Sequence, residues 1–292
     1  MQEERMRLAL KIADLHISID SIYDAYFEEI TKEYLCESDS IDVNIRVDKE
    51  PEKIHGSTGK KLTDRTIGNW YALEDGVYEY CFYDPGIDAL SIKILCDTVK
   101  KDIHITLLDV KTLFEFDTKC FLFNTIQRAV NFILIFYNGF EVHASSIVYN
   151  NTGLAFSAVS GTGKSTHTGL WLKNYPGTVI LNDDKPIMRF VDGEWRIYGT
   201  PWAGTTGINQ NMCVPLKALV FLERSENNTI RDCVGPEAIK RFFGAVLHPV
   251  SDETTNLLLD SLSLLIKHSR ICVLGCNMTD DAPETVRKHL YT

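Results

Sequence analysis

The segment that most limits what this chain can fold into is Ser160-Gly161-Thr162-Gly163-Lys164-Ser165-Thr166. It follows a short apolar stretch, Gly153 to Ser157, and leads into a helix expected from Lys164 to about Lys173. Glycines allow a turn tight enough for successive backbone N–H groups to point inward, and a helix beginning there offers free N–H groups and the positive end of its dipole to an anion. A lysine at the first helical position reaches the outer phosphates of a nucleotide, and the hydroxyl after it suits a divalent cation. Residues Ser160, Gly161, Thr162, Gly163, Lys164, Ser165 and Thr166 are therefore the expected site for ATP or a related nucleotide with Mg²⁺. A strict phosphate-loop pattern has glycine where this chain has Ala158.

Downstream, the apolar Thr178-Val179-Ile180-Leu181 runs into Asn182-Asp183-Asp184. Two acids then emerge at the carboxyl end of a strand, where ligands collect in open α/β sheets. Neighbouring strand residues point to opposite sides, so one acid can hold the metal while the other accepts a proton from an attacking hydroxyl. The residues alone leave open which aspartate does which. His143 is expected inside a strand, Val142 to Tyr149, just before the loop strand; a lone strand histidine is ordinarily a core or surface residue.

Around this centre the chain reads as α/β. Leu8 to about Val110 is strand-like, with LALKIADLHISI, IDVNIRV, VYEYCFY, ALSIKIL and IHITLLDV as candidate strands and one helix near Ser21 to Leu35. Residues 49–69 read as a long connection. Apolar residues Phe121, Phe123, Ile126, Val130, Ile133 and Leu134 recur at helical spacing, and Asn138-Gly139 is a stop signal. The expected division is a β-rich region, 1–117, and a nucleotide-binding domain, 118–292. The last third is expected to supply strand LKALVFLE, two helices, a strand from Arg270 and a closing helix from Asp281.

A formal charge of −10 argues against a general nucleic-acid surface. The most apolar stretch, Ala129 to Tyr137, is too short to span a bilayer, and the amino terminus lacks the pattern of a secretory signal. The eight cysteines are scattered without a zinc-site spacing, and are expected as reduced thiols of a cytoplasmic protein.

His143-Ala144-Ser145-Ser146, the loop, Leu170-Trp171, Asn182-Asp183-Asp184 and Tyr198-Gly199-Thr200-Pro201-Trp202-Ala203-Gly204 together resemble the HPr kinase/phosphorylase-related family, over roughly residues 140 to 225. That family's nucleotide-binding core is similar to that of phosphoenolpyruvate carboxykinases, so the resemblance implies a carboxykinase-like P-loop core behind a β-rich amino-terminal region. It implies that Lys164 and Ser165 bind phosphate and Mg²⁺, that one of Asp183 and Asp184 is the catalytic base and the other a metal ligand (Asp184 is taken as the ligand), and that His143 sits beside the base. The expected activity is an ATP-dependent kinase acting on a hydroxyl, a serine of a peptide or small protein, with homo-oligomerisation left open. A carboxykinase-like small-molecule phosphotransferase and a non-catalytic nucleotide-binding module are the alternatives. TPWAGTTGINQ, residues 200–210, is the expected second-substrate region, and no arginine occurs between Arg196 and Arg224 to hold a carboxylate there. Arg231, Arg241 and His248 are further candidates for substrate contacts.

Overall fold

The computed structural model describes residues 7–108, 118–159 and 161–291. It is a mixed α/β protein that divides into two compact units, residues 1–136 with 250–252, and residues 137–249 with 253–292.

The first unit is built on an eight-stranded sheet. Its elements are β1 (Arg7–Ile12), β2 (Leu15–Asp20), helix α1 (Asp24–Ile30), β3 (Val43–Glu50), β4 (Lys60–Lys61), β5 (Gly68–Glu74), β6 (Val77–Asp84), β7 (Ala89–Asp97), β8 (Asp102–Leu108) and helix α2 (Thr118–Leu134). The strand order is β1-β2-β3-β8-β7-β6-β5-β4. The sequence reads LALKIADLHISI as one segment, but the chain reverses at Ala13 and Asp14, both at positive φ, and β1 pairs antiparallel with β2. No glycine marks this turn. β2 and β3 are parallel, and α1 makes the crossover that a parallel pair requires.

Alternation gives the sheet one apolar face: Val43, Ile45 and Val47 are buried while Arg46 between them is exposed. Helix α2 buries Leu122, Ile126, Ala129, Val130 and Ile133, one helical stripe, and stacks Phe132 on Trp70 at 4.4 Å between ring centroids. This packing assigns α2 to the first unit, so the units part at Phe136 and Tyr137, where the sequence alone suggested 118. With the 3₁₀ turn after it, the helix spans Thr118–Tyr137 and is long and apolar enough by composition to cross a membrane, more than the apolar stretch Ala129 to Tyr137 implies. Of that span's apolar window, 61% is buried inside the protein, as in a core helix.

The second unit comprises β9 (Gly139–Glu141), β10 (Ala144–Tyr149), β11 (Thr152–Ser157), helix α3 (Lys164–Asn174), β12 (Val179–Asn182), β13 (Ile187–Val191), β14 (Glu194–Tyr198), β15 (Cys213–Arg224), β16 (Thr229–Asp232), helices α4 (Gly235–Ala245) and α5 (Asp252–His268), β17 (Arg270–Cys276) and helix α6 (Ala282–Tyr291). The sheet runs β12-β10-β11-β15-β14-β13-β9, with β17 beside β15 and β16 beside β17. β11 is parallel to β15, and β15 to β17. β10 is antiparallel to both β11 and β12, so β12 runs in the direction of β11. The carboxyl ends of β11, β12, β15 and β17 and the amino end of β10 therefore lie along one edge of the sheet.

One face of this sheet packs Ile147, Leu154, Phe156, Val220 and Leu274 against Trp171 of α3 and Val286 and Leu290 of α6. Elsewhere in the unit Phe140 meets Phe242 of α4 edge-on at 5.0 Å and Trp195 at 5.4 Å. None of the eight cysteines is in a disulfide.

Candidate functional site

The end of β11 and the start of α3 are joined by the glycine-rich turn. Gly161 (φ 77°) and Gly163 (φ 110°) both occupy the left-handed region, and a Cβ on Gly163 would come within 2.6 Å of the Met278 side chain. Gly163 is the residue before the first turn of α3 and, having no side chain, supplies no cap, so that turn's N–H groups are left without a capping side chain. Lys164, Ser165 and Thr166 follow there. Ser160 lies outside the described residues. A cleft of about 400 Å³ lies over this helix start, lined on one side by Gly161, Gly163, Lys164, Ser165 and Thr166, and on the other by His143, Asp183, Asp184, Gly204, Thr205 and Thr206.

The two adjacent aspartates emerge after β12 and have different surroundings. Asp183 is buried; its Oδ1 accepts from the Gly204 amide at 2.6 Å, and its Oδ2 accepts from the Thr206 amide at 3.1 Å and from the Thr206 hydroxyl. Both oxygens are thus engaged in holding the loop 204–206 over the cleft. Asp184 instead accepts at Oδ1 from His143 Nδ1, 3.0 Å away.

The other ring nitrogen of His143 meets Lys164: Nζ donates to Nε2 at 2.7 Å. An ammonium has only donors, so Nε2 is the accepting nitrogen and the ring proton is on Nδ1, which donates to Asp184. Asp184, His143 and Lys164 form one chain of hydrogen bonds across the cleft. The hydrogen bond from His143, aided by the charges of Lys185 and Lys164, holds the Asp184 carboxyl below the ordinary aspartate range in spite of burial. Burial draws the Lys164 ammonium below the ordinary lysine range, opposed by the attraction of Asp184.

His143 does not sit within a strand as the sequence suggested. It occupies the bend between β9 and β10, because its amide donates to the Ala245 carbonyl at the end of α4, at 2.8 Å, rather than to a neighbouring strand. Its own carbonyl accepts from Ser157 Oγ at 2.8 Å, and the next amide, of Ala144, donates to the Asp184 carbonyl at 3.0 Å. These three bonds aim the ring into the cleft, leaving 46% of the side chain exposed.

Asn182 is the organising residue that sequence reasoning missed. Fully buried at the end of β12, it donates through Nδ2 to the carbonyls of Thr200 and Trp202, both at 3.1 Å, and accepts at Oδ1 from the amides of Asp184 (3.0 Å) and Lys185 (2.6 Å). An asparagine followed by two acids was the signal; its amide can serve both as donor and acceptor, which the acids cannot.

Of the 200–210 region, Gly204, Thr205 and Thr206 do line the cleft. A Cβ on Gly204 would lie 2.9 Å from Asp184 Cβ and 3.2 Å from Asp183 Oδ2. Arg231 and Arg241 both pair with Glu237, at 2.7 and 2.9 Å, and Arg241 also with Glu223 at 2.6 Å; His248 is exposed.

Comparisons with known proteins add little to this geometry. No family model and no curated protein matches the chain. Among solved structures, the chain is similar to "Structure of the Hpr(Ser) kinase/phosphatase from Coxiella burnetii", at 12% identity and a TM-score of 0.32, over 51% of this chain and 95% of that one. A likeness this slight assigns neither the fold nor an activity.

One other set of metal-ligand types comes together among the described residues: Asp232, Cys272 and His289. A cation is already there. The Arg270 guanidinium donates to Asp232 at 2.6 Å and to His289 Nε2 at 2.8 Å, and burial pushes the Cys272 thiol up to about 12. The cluster is an ion-pair network rather than a metal centre.

Proposed function

We propose that the second unit is a phosphoenolpyruvate carboxykinase-like nucleotide-binding core, and that the protein is a phosphotransferase that moves the γ-phosphoryl of ATP to a hydroxyl, a serine of a peptide or small protein. The observation that carries this reading is the Asp184–His143–Lys164 chain of hydrogen bonds, anchored at the first residue of α3 and facing the glycine-rich turn.

Phosphoryl transfer needs positioning and charge neutralisation more than covalent participation by the protein. The turn and the helix start would offer N–H groups to a bound phosphate chain, and Lys164, at the first helical position, would neutralise its outer phosphates. Ser165 and Asp184 supply hard oxygen donors on opposite walls of the cleft, which fits Mg²⁺. When bound, that ion would neutralise charge on the phosphate oxygens. Asp183 has both oxygens spent on Gly204 and Thr206, so the reading gives it the holding of the loop, and leaves Asp184 to the ion and to His143 in place of an aspartate base. His143, fixed by Asp184 through Nδ1, presents Nε2 to the hydroxyl proton once Lys164 has turned to phosphate.

The cleft lining holds one lysine and no arginine among the described residues. That favours an acceptor hydroxyl over a carboxylate ligand.

The test is calorimetric titration with ADP and ATP in Mg²⁺. Wild type binds both, and Lys164→Ala weakens binding by about 10- to 100-fold, the worth of one charge-assisted hydrogen bond. A folded wild type that binds neither nucleotide overturns the reading.

A further inference from the structure

A second and larger cavity, about 680 Å³, opens beside the phosphate cleft, between the end of β11, the end of β15 and helix α4. His143 is the residue common to the two linings. The group whose Nε2 faces the chemistry in the reading above therefore stands at the junction of two spaces, one of which carries the phosphate-binding turn.

The chemistry of the second space differs from that of the first. Its floor is apolar, from Phe221, Leu222 and Ala245, and Val159 at its edge is 82% exposed. Its polar groups are mostly committed. Ser157 Oγ donates to the His143 carbonyl, and Arg241 is held by Glu223 and Glu237. A nucleobase, which needs donors and acceptors around its edge, would find few there. Lys240 also borders the space, is exposed, and makes no ion pair among the described residues.

We infer that this cavity seats the phosphoryl acceptor: a hydroxyl-bearing peptide segment with an aliphatic side chain next to the hydroxyl and a carboxylate near Lys240. The inference rests on the phosphotransferase reading. The acceptor oxygen forms the bond to the γ-phosphorus, the bond from that phosphorus to the β,γ-bridging oxygen breaks, ADP leaves with the electron pair, and the hydroxyl proton passes to His143 Nε2.

Gly244 offers a direct test. It lies on α4 and lines the cavity, it is exposed, and a Cβ built there meets nothing within 4 Å. Gly244→Leu, whose Cβ is free of clashes, puts apolar bulk into the space with a better helix former. The probe is a positional library of serine peptides with labelled ATP and Mg²⁺, read beside ADP titration. Wild type should label peptides enriched in aliphatic and acidic residues near the serine. Gly244→Leu should cut labelling by about tenfold or more, as expected when a pocket that discriminates by shape is blocked, with ADP affinity as in wild type. Lys240→Glu should turn the acidic preference basic.

If Gly244→Leu weakens ADP binding as much as labelling, the cavity seats the nucleoside and the inference is wrong. Undiminished labelling in Gly244→Leu, or no labelled peptide from a wild type that binds ADP, also overturns it while leaving the nucleotide site intact. A wild type without ADP binding ends both readings at once, and is recognised by the titration alone.

Discussion

Thr206 closes over Asp183 with both its amide and its hydroxyl, so the first of two adjacent acids is consumed by the loop that faces it. The second acid is left to His143.

The two positions should therefore fail in different ways. Asp183→Ala strips the acceptors from two amides and a hydroxyl of the partly exposed loop 204–206, and should lower unfolding free energy by about 1–3 kcal/mol. Asp184→Asn should stay within about 1 kcal/mol of wild type in urea and lose phosphoryl transfer. Equal stability losses in the two variants would contradict the division.

Asn182→Ala removes the hydrogen bonds that a fully buried side chain makes to Thr200, Trp202, Asp184 and Lys185. The expected cost is about 3 kcal/mol, and Asn182→Asp should not recover it, because a carboxylate cannot donate to the carbonyls of Thr200 and Trp202. Thermal denaturation of the pair of variants decides the point.

Burial presses His167 down to about 4, in a core pocket where its Nε2 accepts from Trp171 at 3.1 Å and its ring meets Phe156 edge-on at 4.5 Å between centroids. The unfolded chain takes up a proton near the ordinary value of 6.5 while the folded chain does not. Stability should thus be undiminished above 6.5, fall as pH drops through the window from 6.5 to 4, and level below it, a total of about 3 kcal/mol from this group. Urea midpoints for His167→Gln across that window should fall less steeply than those of wild type; parallel slopes would show that another group is responsible.

At Gly204 there is no room for a side chain, since a Cβ there would stand 2.9 Å from that of Asp184. Gly204→Ala should displace the loop, cost about 1–3 kcal/mol, and weaken ADP binding in Mg²⁺ more than in its absence. A crystal structure of the variant with the loop unmoved would refute this.

The glycine-rich turn could be found in the sequence because Gly161 and Gly163 meet a backbone requirement that other residues meet only with strain, and the acids could be found because β12 ends on them. The bend at His143 could not, since the bond that makes it comes from Ala245, far along the chain. For the same reason α2 looked like the opening of the second domain: its apolar stripe is legible, but Trp70 and Tyr78, the rings that Phe132 meets, are not named by the helix itself. The turn at Ala13 and Asp14 was hidden because it has no glycine and begins on an alanine, a residue that rarely takes positive φ, so Asp14 alone was too weak a signal.

In the proposed reaction, the hydrogen bond from Lys164 to His143 carries a consequence for timing. A lysine that rests on an imidazole must leave it to reach a phosphate, and until it leaves, the nitrogen that would receive the acceptor's proton is masked. Loading and unmasking are then a single event. Turnover should follow a compulsory order, nucleotide first and acceptor second, imposed by one ammonium that has two places to be.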